Sequence, residues 1–394
     1  MASAAPAGVG IPAGIDLPTF KGRPGWEFTD ISGLDLAAYE RVGADGAAGA
    51  EGAAGAELLW ELPAPALPDG VIVSTLDAPE HQALIERHLG SLVSSDDVFV
   101  ALNDAGVRAS AFVYVPRGVE LTEPISLSSV QARTGTLLNQ RTLVVLEEGA
   151  QAEVWEQFVS GSDDVDGVFN TVTELIVGQN ARLRYVCGQG LSENSWIFGA
   201  QRAEVGRDAS LDWVALGFGS ARGHVRMETR LAGEGSGARV TGAYASHGRQ
   251  HIDFDTTQEH AAPNTTSDLA FRGVLTGRSS AVWKGNIIVD PGAQKTDAFQ
   301  ESRNLLLSKR AHADAIPGLE IQANDVRCTH AAAVAQVDPE QLFYLRSRGL
   351  RPEVAKRLVI EGFLATLVER FEEGPVREVL SDVLERRLAL ILGG

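Results

Sequence analysis

The sequence predicts a mainly β fold whose core is a β-solenoid or parallel β-helix, flanked by a mixed N-terminal region and a helical C-terminal region. Between residues 98 and 308, short runs of β-forming residues alternate with glycine-containing turns, and no long helical pattern interrupts them. From residue 338 onward, the hydrophobic residues instead follow the helical period. These two sequence patterns, together with a repeat inside the β-rich region, predict the fold class.

A weak repeat within the β-rich region indicates stacked coils. Each copy reads Gly, two residues, a small residue, one further residue and an aliphatic residue, and the copies start at Gly149, Gly178, Gly206, Gly235 and Gly277. The spacings of 29, 28, 29 and 42 residues are expected when each unit buries its apolar face only against the next unit. The longer fourth step predicts an insertion at 246–268. A β-sandwich with similar turn spacing is the alternative.

Changes in residue composition and in hydrophobic period divide the chain into three predicted regions. The first, residues 1–95, is a mixed, partly helical domain with a flexible leader and a low-complexity loop, GADGAAGAEGAAGAE, at 43–57. Within it, residues 77–92 are predicted to form a helix with Asp77 as its N-cap. The second region, residues 96–337, is the predicted parallel β-helix core.

The third region, residues 338–394, is predicted to contain three helices. Asp338 and Pro339 are typical of a helix start, and the apolar spacing predicts further helices over 351–371 and 375–392. We expect most of their apolar surface to pack against the β core and the remainder to be available to a partner protein.

Composition argues against several classes of protein. A net charge of -18 argues against nucleic-acid binding, because phosphates require a basic surface. No apolar run reaches the ~18 residues that a membrane helix needs, and the N-terminus does not resemble a secretory signal. The two cysteines, Cys187 and Cys328, form no disulfide framework, so a cytoplasmic location is predicted. No phosphate-binding G-x-x-x-x-G-K-[ST] motif occurs, so we expect this chain to bind no nucleotide.

The segment DVRCTH, residues 325–330, contains a candidate metal-binding pair. Residues i and i+2 of a strand point to the same side, so Cys328 and His330 are predicted to face one space. Arg327 is predicted to point with the pair and to favour the thiolate. Zinc and iron–sulfur clusters need about four ligands, so the others must come from Cys187 or from a second chain. The alternative is a buried cysteine beside a histidine bonded to backbone carbonyls.

A second group of ligand types lies in SHGRQHIDFDTTQEH, residues 246–260. Its candidate side chains are His247, His251, Asp253, Asp255 and His260. All but the last are odd-numbered and therefore share one face of a strand. A metal site or an acid–base pair could be built from these residue types. We favour a polar outer face, hydrogen-bonded across strands, because no tight metal-binding motif is present.

Four segments of the chain are sequence motifs that are informative when they are considered together. They are GWEFTDISGLDL (25–36), the HxDxxTxxxH pattern (251–260), VWKGNIIV (282–289) and the run from AQKTDAF to YLRSRGL (293–350). Together they resemble the SufB/SufD family, the scaffold subunits of the SUF machinery for iron–sulfur cluster assembly. The resemblance covers about residues 20–394. The chain length, the N-terminal element and the scarcity of cysteines make the chain similar to the SufD branch rather than to the longer SufB.

This resemblance implies a right-handed parallel β-helix between helical N- and C-terminal domains. It also implies pairing with SufB, a SufC ATPase subunit bound through the C-terminal helices, an indirect link to a cysteine desulfurase, and homodimers as an option for the isolated chain. The role of the family histidine in building a transient cluster at the SufB interface maps onto His330, and Cys328 maps onto the motif cysteine. The chain is then a non-catalytic scaffold of an ATP-driven complex.

The motif departs from the family pattern C-S-H-G-A-T-V-G at four places. Thr329 replaces serine, Ala331 and Ala335 replace glycines, and Ala333 replaces threonine. If either glycine required a positive φ, alanine would strain the backbone, so the local geometry is expected to differ.

Two other functions are consistent with the residues. One is a β-helix enzyme that acts on carbohydrate, with Asp253, Asp255 and Asp290 as acid–base candidates. Such an enzyme needs a groove rich in exposed aromatic side chains, and only 6% of the residues are aromatic. The other is a structural homodimer without a metal role.

Overall fold

The computed structural model describes residues 17–18, 25–42, 56–61, 67–107 and 109–392. The predicted leader lies almost entirely outside these ranges, and so does the low-complexity stretch up to residue 55. Among the described residues, no helix combines the length and the apolar character that a membrane crossing requires.

Strands dominate the described part of the chain. In chain order they are β1 (Glu40–Arg41), β2 (Ala56–Glu61), β3 (Ile72–Ser74), β4 (Ala109–Val115), β5 (Ile125–Gln131), β6 (Thr136–Leu146), β7 (Gln151–Ser160), β8 (Gly167–Val177), β9 (Arg182–Gly190), β10 (Trp196–Val205), β11 (Ser210–Gly217), β12 (Arg222–Leu231), β13 (Gly237–Ser246), β14 (His251–His260), β15 (Thr266–Leu275), β16 (Ser280–Val289), β17 (Asp297–Leu306), β18 (His312–Ile321) and β19 (Arg327–Gln336). The α-helices are α1 (Gln82–His88), α2 (Val98–Asp104), α3 (Pro339–Ser347), α4 (Pro352–Val368) and α5 (Pro375–Leu392).

The strands form a parallel β-solenoid, as the sequence predicts. Sheet A has the order β18-β16-β14-β12-β10-β8-β6-β4-β3, with β1 also paired to β6, and sheet B has the order β19-β17-β15-β13-β11-β9-β7-β5-β2. From β4 to β19, successive strands alternate between the sheets, so each coil contributes one strand to each sheet. Neighbours in either sheet of these coils are parallel, and only β2 and β3 join antiparallel. A sandwich would require mainly antiparallel pairs, so the alternative is wrong.

The predicted insertion at 246–268 is wrong, because this stretch forms an ordinary coil. Strand β14 pairs residue for residue with β12 and β16. The turn after β14 carries Asn264 at φ 59, a conformation that asparagine tolerates, so the glycine of the repeat is missing there. Gly277 belongs to the opposite row of turns, after β15, beside Gly248. The 42-residue step therefore joins two different rows of turns.

Each strand of the solenoid points alternate side chains into the interior and out of it. The interior row is largely apolar, and its largest members with almost no exposed surface are Trp213, Trp283, Tyr185 and Tyr244. The outer face of sheet A is covered by residues 25–42, α1 and α2. The outer face of sheet B is covered by α4 and α5, whose buried residues pack on Val214, Ala243 and neighbouring side chains.

Residues 98–103, where the predicted β-rich region begins, form helix α2 instead. The Asp97 carboxylate accepts hydrogen bonds from the backbone N–H groups of Phe99 and Val100, and six of the seven helix residues are buried. An N-cap and a tertiary contact therefore override the strand propensity of this run. The helix predicted over 77–92 is also shorter, since Pro79–His81 is a 3-10 turn and the α-helical part ends at His88.

The predicted start of the C-terminal helices is confirmed. The Asp338 carboxylate accepts a hydrogen bond from the N–H of Glu340, with Pro339 at the first helical position. Arg370 and Arg387 tie α4 and α5 to sheet B, because they donate to Asp268 and to the carbonyl of Ala245. Helix α3 contains no buried residue.

Candidate functional site

The predicted Cys328–His330 pair lies on β19, the last strand of sheet B. Within the described part of the chain, β19 pairs on one side only, with β17, and β18 likewise pairs only with β16. The coil built from β18 and β19 is therefore the uncovered end of the solenoid. Its interior face is open where every preceding coil is capped by the next.

The register assigns both side chains to the interior row. Cys328 pairs with Ala298 of β17, and His330 pairs with Gln300. Ala298 and Gln300 have no exposed surface, so this row points inward, and β19 continues it. His330 is exposed because no further coil covers it, whereas Cys328 is half-buried against an apolar cluster. The two side chains thus share one side of the strand, at the open end.

Arg327 does not point with the pair, contrary to the prediction. Adjacent residues of a strand point to opposite faces, and Arg327 lies on the outer face, 3.5 Å from Asp297. Burial and the nearby Asp297 carboxylate raise the pKa of the Cys328 thiol. The free thiol is therefore held in its protonated form and becomes a ligand only when a metal displaces the proton.

The alanines that depart from the family motif do not strain the strand. Strand β19 is continuous through Ala331, Ala333 and Ala335, and none of them has a positive φ. Alanine is therefore compatible with the backbone at each position.

Cys187 does not complete a metal site with this pair. It lies on β9, five strands from β19 in sheet B, which is about 24 Å at the usual spacing of strands. It is buried, and burial raises the pKa of its thiol. Among the described residues, no group of three or more His, Cys, Asp or Glu side chains could hold a metal ion. Any further ligands must come from outside the described part of this chain.

The second predicted cluster forms a docking site for the N-terminal element, not a metal site. His251, Asp253 and Asp255 lie on the outer face of β14, as expected, and Thr29 of the N-terminal element contacts the first two. The Thr29 hydroxyl donates to Asp253 over 2.5 Å and lies 3.2 Å from His251 Nε2. Asp255 instead pairs with Lys284 over 3.3 Å.

Asp253 is the centre of this contact. Its carboxylate has almost no exposed surface and lies 2.9 Å from His224 Nδ1. Burial opposes ionisation, but His224 and Thr29 outweigh it and hold the pKa of Asp253 below its usual value. The Trp26 ring packs 4.2 Å from the His224 ring, centroid to centroid. Residues 25–36 and residues 251–260 each resemble a sequence element of the family, and these two segments therefore contact each other in the fold.

The remaining members of the second cluster lie apart. His247 lies in the turn before β14 and contacts Glu193 over 2.6 Å. His260 points into the solenoid, where Thr265 and Ser267 bond its ring and burial lowers its pKa to about 4.

Asp290 follows β16, and its backbone N–H donates to the carbonyl of His260. The register places it eight residues along the sheet from Asp253, which pairs with Val282. At about 3.3 Å per residue this exceeds 20 Å, too far for a pair of acid–base carboxylates. Asp290 therefore does not pair with Asp253 as the predicted carbohydrate site would require.

Three features of the structure were not predicted from the sequence. They are the hydrogen bond of Thr29 to Asp253, the exposed aromatic side chains of α3, and the buried Gln300 beside His330. Gln300 precedes His330 by 30 residues, close to the spacing of the repeat. Applying that period backwards from the C-x-H motif would have found it.

Comparisons with known proteins agree with this architecture. A family model described as "SUF system FeS cluster assembly, SufBD core domain" matches residues 129–363, and one for the "SufBD protein N-terminal region" matches residues 60–127. The iron-sulfur cluster assembly protein SufD of Bacillus subtilis (strain 168) is 34% identical over 315 residues, which are 79% of this chain and 72% of that protein.

Two other relatives are more distant. An iron-sulfur cluster assembly SufBD family protein of Mycobacterium tuberculosis is 31% identical over 72% of each chain. The chloroplastic protein ABCI7 of Arabidopsis thaliana is 29% identical over 79% of this chain and 68% of its own length. Because the core model spans more than half of the residues, this chain belongs to the SufBD family of SUF-system iron–sulfur cluster assembly proteins.

Proposed function

We propose that this chain is a non-catalytic scaffold subunit that lends His330, together with Cys328, to a nascent iron–sulfur cluster at an interface with SufB. The observation that carries the proposal is the position of the pair on the inward row of an uncovered terminal strand. Imidazole and thiolate are both established ligands of iron–sulfur clusters. The cluster is the cargo of the complex and does not stay in this chain.

The open end of the solenoid also supports a shared site. The outer edge of β19 carries backbone N–H and C=O groups that pair with no described strand, and such edges are templates for pairing with another chain. Two ligands are too few for a cluster, and a chain docked on this edge is positioned to add the others. The partner that we propose is SufB.

The C-terminal helices are proposed to dock the SufC ATPase, whose motion they transmit to the solenoid. Helix α3 exposes Phe343 and Tyr344 at 73% and 55% of their surfaces, directly after β19 in the chain. We also propose that the chain is divided into domains at residues 1–95, 96–337 and 338–394. The proposed location of the protein is the cytoplasm. The link to a cysteine desulfurase is then indirect, through the assembled complex.

Replacing His330 by alanine tests the proposal. The complex is reconstituted anaerobically from this chain, SufB and SufC with ferrous iron and a sulfide source. The His330→Ala variant should assemble normally but retain less than about a tenth of the cluster absorbance, because loss of a ligand weakens metal sites strongly. Cluster content per complex and subunit stoichiometry are the two measurements.

His312→Ala is the matched control. His312 is also an exposed histidine on the terminal coil, but it points outward beside Asp314. This variant should behave like the parent. Normal cluster content in His330→Ala would remove this histidine from the mechanism and favour a structural subunit without a metal role.

A further inference from the structure

A row of exposed basic side chains crosses three successive coils of the solenoid. They lie in the turns that lead from sheet B back to sheet A, at residues 247–250 after β13, 276–279 after β15 and 307–311 after β17. None of these turns contains an Asp or Glu residue. Their exposed basic residues, which we call the basic column, are Arg249, Arg278, Lys309 and Arg310.

The backbone aligns the first two turns residue for residue. The N–H of Arg278 donates to the carbonyl of Gly248 over 2.8 Å, which continues the parallel pairing of β14 with β16 into the turns. Arg278 therefore lies directly opposite Arg249. Gly248 and Gly277 have φ values of 58 and 68, so the chain turns sharply just before each arginine.

The third turn is one residue longer and carries two cations. The Ser308 hydroxyl donates to the carbonyl of Gly277 over 2.5 Å and accepts from the N–H of Arg310 over 3.3 Å. Lys309 and Arg310 therefore form the tip of this turn, in the coil that follows Arg278. Neighbouring coils are about 4.8 Å apart, so the column is about 10 Å long.

The basic column has no counter-ion within the described part of the chain. No described carboxylate forms an ion pair with any of its four side chains, although the net charge of the protein is -18. On the strands of the same coils, Arg272 and Arg303 pair with Glu301, and Arg327 pairs with Asp297. Like charges directly opposite each other destabilise neighbouring strands, so an external anion would stabilise this arrangement.

Carboxylates border the column and make the positive surface narrow. Glu193 lies 2.6 Å from His247, in the same turn as Arg249. On the side of sheet A, Asp314 lies 3.1 Å from His312, which directly follows the third turn. A broad anionic surface such as a membrane would also meet these carboxylates. The net charge of the chain opposes a long polyanion such as nucleic acid.

The spacing of the column fits a helix better than an extended peptide. Residues three and four apart on a helix have Cβ atoms about 5–6 Å apart, and residues seven apart are about 10.5 Å apart along the axis. These lengths match one and two coil spacings. Side chains on one face of an extended peptide are about 6.7 Å apart, so their alignment is lost over three coils.

We propose that the basic column binds the acidic face of a helix on a partner protein, with carboxylates at i, i+3 or i+4, and i+7 paired to successive coils. The column ends in the turn before β18, so a helix that follows it also reaches the open end of the solenoid. This surface is additional to the proposed function and does not depend on the role of His330.

A synthetic helical peptide tests this surface. The probe carries glutamates at i, i+4, i+7 and i+11 on one face of an alanine–glutamine helix, and fluorescence anisotropy measures its binding to the full chain. We expect saturable binding that weakens as the salt concentration rises. Combining Arg249→Gln, Arg278→Gln, Lys309→Gln and Arg310→Gln should weaken the affinity about tenfold, because each exposed ion pair contributes little and four act together. The thermal midpoint should not fall, since no described counter-ion is lost.

The matched control removes four exposed arginines elsewhere, so that the net charge changes equally. Its changes are Arg87→Gln on α1 and Arg117→Gln, Arg182→Gln and Arg207→Gln, which lie in or next to the opposite row of turns. The control should bind the peptide like the parent.

Three results would overturn the proposal. Unchanged affinity in the column variant would show that these cations do not bind the helix. Equal binding of a peptide with the same composition but glutamates on all sides would show charge attraction without recognition of a helix face. Tighter binding of a single-stranded oligonucleotide or of phosphatidylserine vesicles, lost in the column variant, would replace the acidic helix by nucleic acid or a membrane.

Discussion

Glu156 shows how single residues set the chemistry of the solenoid interior. Its carboxyl group accepts hydrogen bonds from Gln140 Nε2 over 2.9 Å, from the Thr142 hydroxyl over 2.5 Å and from the Tyr185 hydroxyl. Burial outweighs these donors and raises the pKa of Glu156 to about 7. The interior therefore holds a carboxyl group that is partly neutral near physiological pH, without any charged partner among these contacts.

This raised pKa predicts a stability that depends on pH. The folded-state value of about 7 lies above the ordinary 4.5, so the favourable contribution is complete below pH 4.5 and is lost as pH rises through 7. Compared with Glu156→Gln, the parent should lose about 3 kcal/mol of unfolding free energy between pH 4.5 and 8. Urea unfolding of both proteins at several pH values measures this difference.

The contribution of other titrating groups cancels in that comparison. Both proteins keep His260, whose lowered pKa of about 4 makes folding less favourable as pH falls below 6.5. A difference between the two proteins that stays constant from pH 4.5 to 8 would contradict the raised pKa of Glu156.

At the scale of elements, the N-terminal segment is attached to sheet A through an apolar patch and several polar contacts. Trp26, Ile31 and Leu34 supply the apolar part, packed on Phe99 and Phe198. The most buried polar contact is that of Thr29, whose hydroxyl donates to the buried Asp253 carboxylate. A buried carboxylate needs its donors, so this contact fixes the register of the segment on the sheet.

Thr29→Val should therefore weaken the docking of this segment. The change preserves shape but removes a donor to a buried charge, which is expected to cost about 1.5–3 kcal/mol. Urea unfolding measures the loss, and hydrogen exchange should show faster exchange between residues 26 and 36. Thr29→Ser keeps the hydroxyl and should stay within about 0.5 kcal/mol of the parent. Equal stabilities for the valine and serine variants would show that the hydroxyl is not needed.

At the scale of the whole molecule, two apolar surfaces without a described partner lie next to each other in the chain. Val334 and Ile321 are both 43% exposed on the terminal coil, and Phe343 and Tyr344 are exposed on α3, which follows β19 after two residues. Helices α4 and α5 bury their apolar stripes on sheet B, whereas α3 buries none. Large exposed aromatic side chains are typical of protein interfaces.

Phe343→Ser tests the docking of the ATPase subunit. If α3 contacts SufC, loss of the phenyl ring should weaken the affinity at least about tenfold, as for a central interface residue. Binding of SufC to the immobilised chain measures this, and the thermal midpoint should be unchanged because the ring is exposed. Phe28→Ser is the control, since Phe28 is an exposed phenylalanine in the N-terminal segment on sheet A. Unchanged SufC affinity in the Phe343 variant would exclude this face of α3.

Local patterns in the sequence were sufficient for several features of this protein. The period of two placed Cys328 and His330 on one side of a strand, and Asp338 marked the start of α3. The glycine spacing indicated coils of about 29 residues. These inferences succeed because side-chain direction, helix capping and turn conformation depend on residues close together in the chain.

Only the tertiary structure decided what each coil and segment contacts. Thr29 meets Asp253 across 224 residues, and Gln300 lies beside His330 because two coils stack in one register. Cys187 was a possible ligand by composition, yet it lies five strands away from Cys328. Such contacts depend on the register in which the coils stack, and that register depends on the number of residues in every turn between the two contacting segments. The local conformational preference of a segment does not contain this information.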